Sequence, residues 1–131
     1  MKRISIKTNK RVEALEITSQ IRQAVRAAGW KNGVLFAFCP HTTCALFTNE
    51  YESYIKSDFE KFFSELEKQE WRHNEVDGNA VAHLRNAALG GQQFFFVENG
   101  GLVLGTWQHI VLFEGDGPRE RELWLDFIEK K

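Results

Sequence analysis

Apolar residues repeat with two different spacings along this chain, and the order of the two spacings limits the folds open to it. Loose alternation, which is typical of strands, marks residues 3–8 and 11–17 and returns in the last forty residues. Helical spacing marks residues 51–68, whose apolar positions fall on one face. Strands on both sides of helices predict an α+β fold, with a mostly antiparallel sheet and helices packed on one of its faces.

Local signals divide the first part of the chain further. The segments 3–8 and 11–17 are close enough in sequence to form a hairpin. Thr18 or Ser19 is suited to cap a following helix, which Gly29 would end.

The rest of the chain reads as two more strands, a second helix and a set of C-terminal strands. Two buried strand segments are predicted, one over residues 33–39 and one ending at Thr48. The apolar face of the later helix is predicted to hold Val81, Leu84 and Ala88. Strands at 94–97, at 102–113 and up to Ile128 are separated by turns and predict a β meander.

Length and composition narrow the class of protein. With 131 residues, of which 43% are hydrophobic, we expect one domain over residues 1–131. A net charge of -1 leaves no excess positive charge with which to bind nucleic acid. Because no apolar segment follows the basic N-terminus and no long apolar run occurs, we expect a cytoplasmic protein with no membrane contact.

Two cysteines and the absence of nucleotide motifs exclude some chemistry. The odd spacing of Cys39 and Cys44 predicts side chains on opposite faces of a strand, so we expect no disulfide between them. A cysteine nucleophile is disfavoured, because cysteines in apolar strands are usually small core residues. Neither a Walker loop nor a GxGxxG motif is present, and we expect no nucleotide cofactor.

Histidines mark the first candidate site. His41, Thr42 and Thr43 follow a buried strand and combine an imidazole, two hydroxyls and backbone N–H groups. This combination suits an anion or a metal ion. A core histidine satisfied by a backbone group explains the same residues, and the local sequence leaves both interpretations open.

A second cluster lies in the segment 71–83. Its possible ligands are Arg72, His73, Glu75, Asp77, Asn79 and His83. Imidazole and carboxylate groups together suit Zn²⁺ or Mn²⁺, although the spacing matches no standard zinc motif. From composition alone, a solvated loop capped by Asp77 or Asn79 is the favoured interpretation.

Two further segments hold isolated polar residues. Asn49 and Glu50 stand between a strand and a helix, where simple helix capping explains them. Gln108 and His109 follow Gly105 in an apolar strand and are predicted to point to opposite faces, with Gln108 available to a pocket.

Four blocks of sequence, taken in order, resemble the YjbQ-like family, whose members are often labelled secondary thiamine-phosphate synthase. The blocks are HTTCALFTNE at 41–50, HNEVDGNAVAHL at 73–84, LGTWQHI at 104–110 and GDGPRER at 115–121. The resemblance implies an α+β domain that assembles as a homotrimer, with a site formed partly between subunits. Val81 stands where many relatives carry another histidine.

By that resemblance the site residues fall into three groups. The catalytic group is His41, Glu50, Asp77, His83 and Gln108. The substrate-binding group is Thr42, Thr43, Asn49, Asn79 and Arg119. A divalent metal ion, Zn²⁺, Mg²⁺ or Mn²⁺, would be held by His41, His83, Asp77 and His73.

The implied reaction joins a pyrimidine pyrophosphate to a thiazole phosphate and releases thiamine phosphate and pyrophosphate. The departing pyrophosphate needs positive charge, which a metal ion with Arg119 or Arg72 would supply. Two other hypotheses use the same pocket. One is a non-catalytic trimer that binds a metal ion or a small phosphorylated metabolite, and the other is a metal-dependent hydrolase.

Overall fold

The computed structural model describes residues 1–131 as eight β-strands and three α-helices, with two short 3₁₀ turns. The elements in chain order are β1 (Lys2–Lys7), β2 (Glu13–Glu16), α1 (Thr18–Ala28), β3 (Gly33–Phe38), β4 (Cys44–Asn49), α2 (Ser53–Ser64), α3 (Ala80–Leu89), β5 (Gln92–Glu98), β6 (Gly101–Leu102), β7 (His109–Glu114) and β8 (Glu120–Glu129). The 3₁₀ turns, Glu65–Lys68 and Arg72–Glu75, lie between α2 and α3. No helix is long and apolar enough to cross a membrane.

The strands form two antiparallel sheets. The larger sheet has the order β1-β8-β3-β5-β6, and the smaller has the order β2-β7-β4. This confirms the predicted α+β class and its antiparallel pairing.

The smaller sheet is buried on both faces. Between the two sheets lies a core that contains Leu46, Leu112 and Leu125, closed by the apolar face of α1. On the other face, Phe47 and Phe113 pack against residues of α2 such as Phe63. Burial on both faces explains why β7 reads as a continuous apolar run.

Strand partners differ from the prediction at both ends of the chain. The hairpin predicted from 3–8 and 11–17 is wrong, because β1 pairs with β8 and β2 pairs with β7. At the C-terminus the single strand predicted over 102–113 is wrong, because residues 103–108 form no strand and separate β6 from β7. Of the consecutive C-terminal strands, only β5 and β6 pair with each other. In the smaller sheet β7 pairs with β2 on one edge and with β4 on the other. β8 lies in the larger sheet, between β1 and β3.

Two helix details are also corrected. Neither Thr18 nor Ser19 caps α1; the Thr18 hydroxyl accepts a hydrogen bond from the Ile110 amide (2.9 Å), while Gly29 ends the helix in a left-handed conformation (φ 71°), as predicted. In α3 the buried residues are Ala80, Val81, Ala82 and Arg85, whereas Leu84 and Ala88 are exposed. Small side chains let α3 lie close to β4, which moves the buried face away from the predicted stripe.

The outer face of the larger sheet carries several large apolar side chains, which we call the aromatic face, and Asp126 lies among them opposite Phe36. Its members are Phe36, Phe38, Phe94, Phe96, Trp124 and Ile128. Phe36 stands opposite Phe94 in the ladder, and the Phe38 and Trp124 rings stack with centroids 5.5 Å apart. Phe94 is 62% exposed.

Candidate functional site

The segments around His41 and Arg119 are brought together by the ladder between β4 and β7. Cys44, which begins β4, stands opposite Glu114, which ends β7. Beyond this pair the amide of Gly115 donates a hydrogen bond to the carbonyl of Thr43 (3.0 Å). A Cβ on Gly115 would lie 2.7 Å from Nη1 of Arg85, so only glycine permits this close approach.

Helix α3 is tied to both segments by asparagine side chains. Nδ2 of Asn86 donates to the carbonyls of His41 (3.1 Å) and Cys44 (2.8 Å). Nδ2 of Asn79 donates to Oδ2 of Asp116 (2.9 Å). His83 lies four residues after Asn79 and three before Asn86, and therefore on the same face of the helix.

These contacts define a candidate site at one end of the smaller sheet. We call it the His41 site, and its members are His41, Asn79, His83, Asp116 and Arg119. It combines residues from three separate segments of the chain, two of which belong to the predicted histidine clusters.

The side chain of His41 takes the place of a strand residue just beyond the end of the ladder between β3 and β8. The ladder between β3 and β8 ends at Phe38 and Trp124, and its continuation would set Pro40 opposite Glu122. Instead, Nε2 of His41 accepts a hydrogen bond from the Glu122 amide (3.0 Å). Nε2 is therefore unprotonated, and in the neutral ring the proton lies on Nδ1.

Burial, together with the positive charge of Arg121, lowers the pKa of His41 below its usual value. The ring is therefore neutral at pH 7. A neutral imidazole held through Nε2 offers one N–H donor at Nδ1. The ring is therefore better suited to binding an oxyanion than to accepting a proton as a base.

A buried ion pair supports the loop that carries His41. Arg121 is 2% exposed and Glu114 is fully buried, and Nε of Arg121 lies 2.9 Å from Oε1 of Glu114. Nη2 of Arg121 also donates to the Thr43 hydroxyl (2.9 Å), and the Thr8 hydroxyl donates to Glu114 (2.8 Å). Although burial opposes its charged form, hydrogen bonding to Glu114 raises the pKa of Arg121.

Arg119 is the exposed cation of the site. Its Nε donates to the Asp116 carbonyl (2.9 Å), and its Nη2 lies 3.4 Å from Oδ2 of Asp116. The side chain is 51% exposed. Asp116 thus fixes the base of the guanidinium and leaves the rest of it open to a ligand.

The predicted metal ligands converge only in part. The rings of His73 and His83 meet edge to face with centroids 4.6 Å apart, and Nε2 of His73 lies 3.7 Å from Oδ2 of Asp77. Within this chain no three His, Cys, Asp or Glu side chains are placed to hold a metal ion together. The Nε2 atom of His41 is already used by the Glu122 amide.

The remaining predicted residues lie at the opposite end of β4. Asn49 stands opposite His109, so the six residues of β4, at about 3.3 Å each, separate Asn49 and Glu50 from His41. Asn49 accepts a hydrogen bond from the Glu50 amide (2.7 Å). The cap of α2 is Glu52.

Gln108 borders a cleft at this far end, which we call the Gln108 cleft. The cleft measures about 160 Å³, and its lining includes Thr48, Gln93, Phe94, Phe96 and Gln108. The Thr48 hydroxyl is buried there without a partner, and Oε1 of Gln108 accepts a hydrogen bond from the Gly105 amide (2.7 Å).

The two predicted threonines have different surroundings. Thr42 is exposed beside His41, whereas Thr43 is buried and its hydroxyl is bound by Arg121. Sequence reasoning missed Asn86, Asp116 and the Glu114–Arg121 pair. The signal that was available is an acidic residue ending the apolar run of β7 and an arginine inside the GDGPRER block.

The cysteines pack together, contrary to the prediction of opposite faces. Cys39 lies just beyond β3, and the loop 40–43 reverses the chain so that Cys39 and Cys44 enter the same core. Sγ of Cys39 donates to the Cys44 carbonyl (3.4 Å). Hydrogen bonding with Cys39, together with burial, raises the pKa of Cys44, which makes it a poor nucleophile.

Comparisons with known proteins agree with this fold. Residues 2–130 match the family model described as UPF0047 protein YjbQ-like. A UPF0047 protein of Methanothermobacter thermautotrophicus is 40% identical over 129 residues, which is 97% of this chain and 90% of that protein. The UPF0047 protein YugU of Bacillus subtilis is 36% identical and covers 98% of both chains.

Solved structures are similar along almost the whole chain. A hypothetical protein from Aeropyrum pernix K1 has a TM-score of 0.92 and 39% identity, with 98% of each chain covered. A YbjQ-like protein of unknown function from Sulfolobus solfataricus P2 has a TM-score of 0.91 and 38% identity, covering 98% of this chain and 96% of that one.

The hydrogen bond at Nε2 of His41 predicts a dependence of stability on pH. Because the pKa of His41 is lowered in the folded protein, the unfolded chain takes up this proton at higher pH. The free energy of unfolding should therefore fall as the pH decreases from 7.5 through about 6.5. In His41→Gln, which keeps an acceptor but does not titrate, this part of the decrease should be absent.

The measurement is urea unfolding of the wild type and His41→Gln at several pH values between 5.5 and 7.5. His73, His83 and His109 are present in both proteins, so only the difference between the two slopes reports on His41. Equal slopes would show that the pKa of His41 is not lowered.

Proposed function

The chain belongs to the UPF0047 family of YjbQ-like proteins, and we propose that it is a transferase with weak thiamine-phosphate synthase activity at the His41 site. One observation carries the proposal: an N–H donor on a neutral imidazole and a half-exposed guanidinium belong to one site, tied together through α3. Donors of this kind recognise phosphate groups.

The proposed reaction needs little from the protein beyond orientation and charge. The ring nitrogen of the thiazole phosphate attacks the methylene carbon of the pyrimidine pyrophosphate, and a C–N bond forms. The C–O bond to the pyrophosphate breaks, and the pyrophosphate leaves with the electron pair. No base is required, because the attacking nitrogen carries a lone pair and no proton is removed.

Each residue of the His41 site has a role in this proposal. Arg119 and Nδ1–H of His41 stabilise the negative charge that grows on the leaving pyrophosphate. Asp116 holds the Arg119 side chain, and Asn79 holds Asp116. His83, which is half-buried on the same face of α3 as Asn79 and Asn86, adds a further donor.

The predicted metal ion takes no part in these steps. The histidines and carboxylates of one chain do not fit a cation site, since no three of them are placed to share an ion. Binding of a divalent cation by His41, His73, Asp77 and His83 is thus not used in the proposed steps. It stays a prediction, which turnover with and without added Mg²⁺, Mn²⁺ or Zn²⁺ tests.

Glu50 and Gln108 enter the proposal through a second copy of the chain. The aromatic face exposes Phe36, Phe38, Phe94, Phe96 and Ile128 on one sheet, and neighbouring exposed apolar side chains of this kind support burial against another subunit. The Gln108 cleft borders this face through Phe94 and Phe96. On the β8 side, Glu122 binds His41 through its amide and Trp124 through its carboxylate (3.0 Å).

The aromatic face thus has the His41 site along one margin and the Gln108 cleft along another. A head-to-tail contact between copies brings unlike margins together, and such contacts close into rings. We therefore propose a homotrimer in which the His41 site of one subunit meets the Gln108 cleft of its neighbour.

The activity is tested with the purified chain and both substrates. We expect thiamine phosphate to form, and Arg119→Gln and His41→Ala each to reduce the rate about 100-fold. Arg22→Gln, which removes a charge on α1, should leave the rate unchanged. Folded wild type without turnover would contradict the synthase and favour a binding protein, and release of phosphate from either substrate alone would favour the hydrolase.

The assembly is tested by light scattering. The wild type should have three times the 15.2 kDa mass of the chain, and Phe94→Glu should dissociate it because the substitution buries a charge in the contact. Phe62→Glu is the matched control, since Phe62 is 71% exposed on α2. Mixed assemblies of His41→Ala and Gln108→Ala should regain activity. A monomeric wild type, or failure of mixing to restore turnover, would contradict a shared site.

A further inference from the structure

Arg85 is a buried cation with no carboxylate partner. Arg85 is 2% exposed as a whole residue, and its Nε and Nη1 atoms are buried without any hydrogen-bond acceptor. The guanidinium instead lies over two aromatic rings, with its carbon 4.7 Å from the centroid of Phe113 and 5.3 Å from that of Phe63. Aromatic faces attract a cation but accept none of its directional hydrogen bonds.

Arg121 is a second buried guanidinium, and its hydrogen-bond partners all lie within the chain. It is equally buried, yet it is bound by the Glu114 carboxylate and by the Thr43 hydroxyl. An unpaired buried charge is strongly unfavourable, and within the chain only the two rings and the more distant Glu67 carboxylate offset the charge of Arg85. The contrast with Arg121 points to a further partner from outside the chain. Burial also lowers the pKa of Arg85, although arginine stays charged under all ordinary conditions.

Arg85 lies against a cleft that has room for such a partner. The cleft measures about 310 Å³ and is lined by Arg11, Val12, Glu60, Ser64, Glu67 and Arg85. It is formed by α2, the following 3₁₀ turn, α3 and the segment between β1 and β2. Asn79 and Asn86, which tie α3 to the His41 site, are absent from its lining.

A second guanidinium faces the same cleft. Nη2 of Arg11 donates to the Gly78 carbonyl (3.4 Å), and its Nη1 lies 3.9 Å from Oε1 of Glu67. That distance is long for an ion pair, and both side chains are largely exposed, so the contact is weak. Arg11 is thus available to share an anion with Arg85.

We propose that this cleft is a second ligand site, which binds a small oxyanion of the phosphate or phosphate-monoester class between Arg85 and Arg11. A tetrahedral anion with up to two negative charges matches two guanidinium groups. The Ser64 hydroxyl joins them by turning away from the Lys61 carbonyl, to which it donates a hydrogen bond (2.8 Å). Glu60 and Glu67 also line the cleft and repel any anion, so binding requires an oxyanion that engages both arginines at once. The site is independent of the proposed synthase reaction, because it shares no residue with the His41 site.

Bound phosphate joins three parts of the fold that otherwise have few contacts there. Arg11 precedes β2, Ser64 ends α2, and Arg85 lies in α3. Binding to the folded protein alone stabilises it, so the unfolding temperature should rise with phosphate concentration.

The test uses inorganic phosphate as the probe, followed by calorimetric titration and by thermal unfolding at an ionic strength held constant with sodium chloride. The wild type should bind phosphate and unfold at higher temperature. Arg85→Met, which keeps the length of the side chain, should abolish both effects when it is combined with Arg119→Gln, because the His41 site is itself proposed to bind phosphate groups. Arg119→Gln should keep them, which separates this site from the phosphate groups of the proposed reaction.

A second pair of variants keeps the test decisive if Arg85→Met does not fold. Arg11→Gln should weaken phosphate binding about tenfold or more, and Glu67→Gln should strengthen it by removing a competing carboxylate. Acetate at the same concentration should give no shift. The proposal is overturned if the wild type binds no phosphate, if Arg119→Gln alone abolishes binding, or if Glu67→Gln weakens it.

Discussion

The ion pair between Arg121 and Glu114 is the interaction on which the arrangement of this protein most depends. Arg121 lies on β8 in the larger sheet, and Glu114 ends β7 in the smaller one. The pair is buried, and it is further hydrogen-bonded by the Thr8 and Thr43 hydroxyls and by the amides of Gly115 and Asp116. Four segments from both sheets therefore meet at one charged contact.

The candidate site is a consequence of that contact. Thr43 is held by Arg121, so the loop before it leaves β3 in one direction and carries His41 to the Glu122 amide. Gly115 follows Glu114 directly and turns the chain so that Asp116 meets Asn79. The site thus holds hydrogen-bond donors and a cation, a combination that suits an anionic ligand.

The periodicity of the sequence was sufficient to predict the elements but not their neighbours. Alternation identified β1 and β2 as strands, yet alternation is the same whether a strand pairs with the next one or with one a hundred residues away. Burial on both faces of β7, which moves it to the smaller sheet, depends on where α2 and α3 pack. The Thr18 hydroxyl binds the Ile110 amide, a contact between distant residues that local capping rules do not include.

The site was predictable to a similar extent. His41, Asn79, His83 and Arg119 were all singled out in the sequence. The interpretation of His41 as a histidine satisfied by backbone is confirmed at Nε2, whereas its binding of an anion or a metal ion stays a prediction. That Glu50 and Gln108 lie at the other end of β4 could not be read from sequence order. Arg85 reads as a surface residue of an amphipathic helix, and only the packing of α3 against Phe113 buries it.

The most direct test of this account is the free energy of unfolding of Glu114→Gln, measured in urea beside Glu120→Gln. Glu120 lies on the exposed side of β8 and makes no buried ion pair. We predict that Glu114→Gln lowers the free energy of unfolding by about 3–5 kcal/mol because it leaves Arg121 buried and unpaired, and that Glu120→Gln changes it by less than about 0.5 kcal/mol. Equal, small changes in both variants would contradict the central place given to this ion pair.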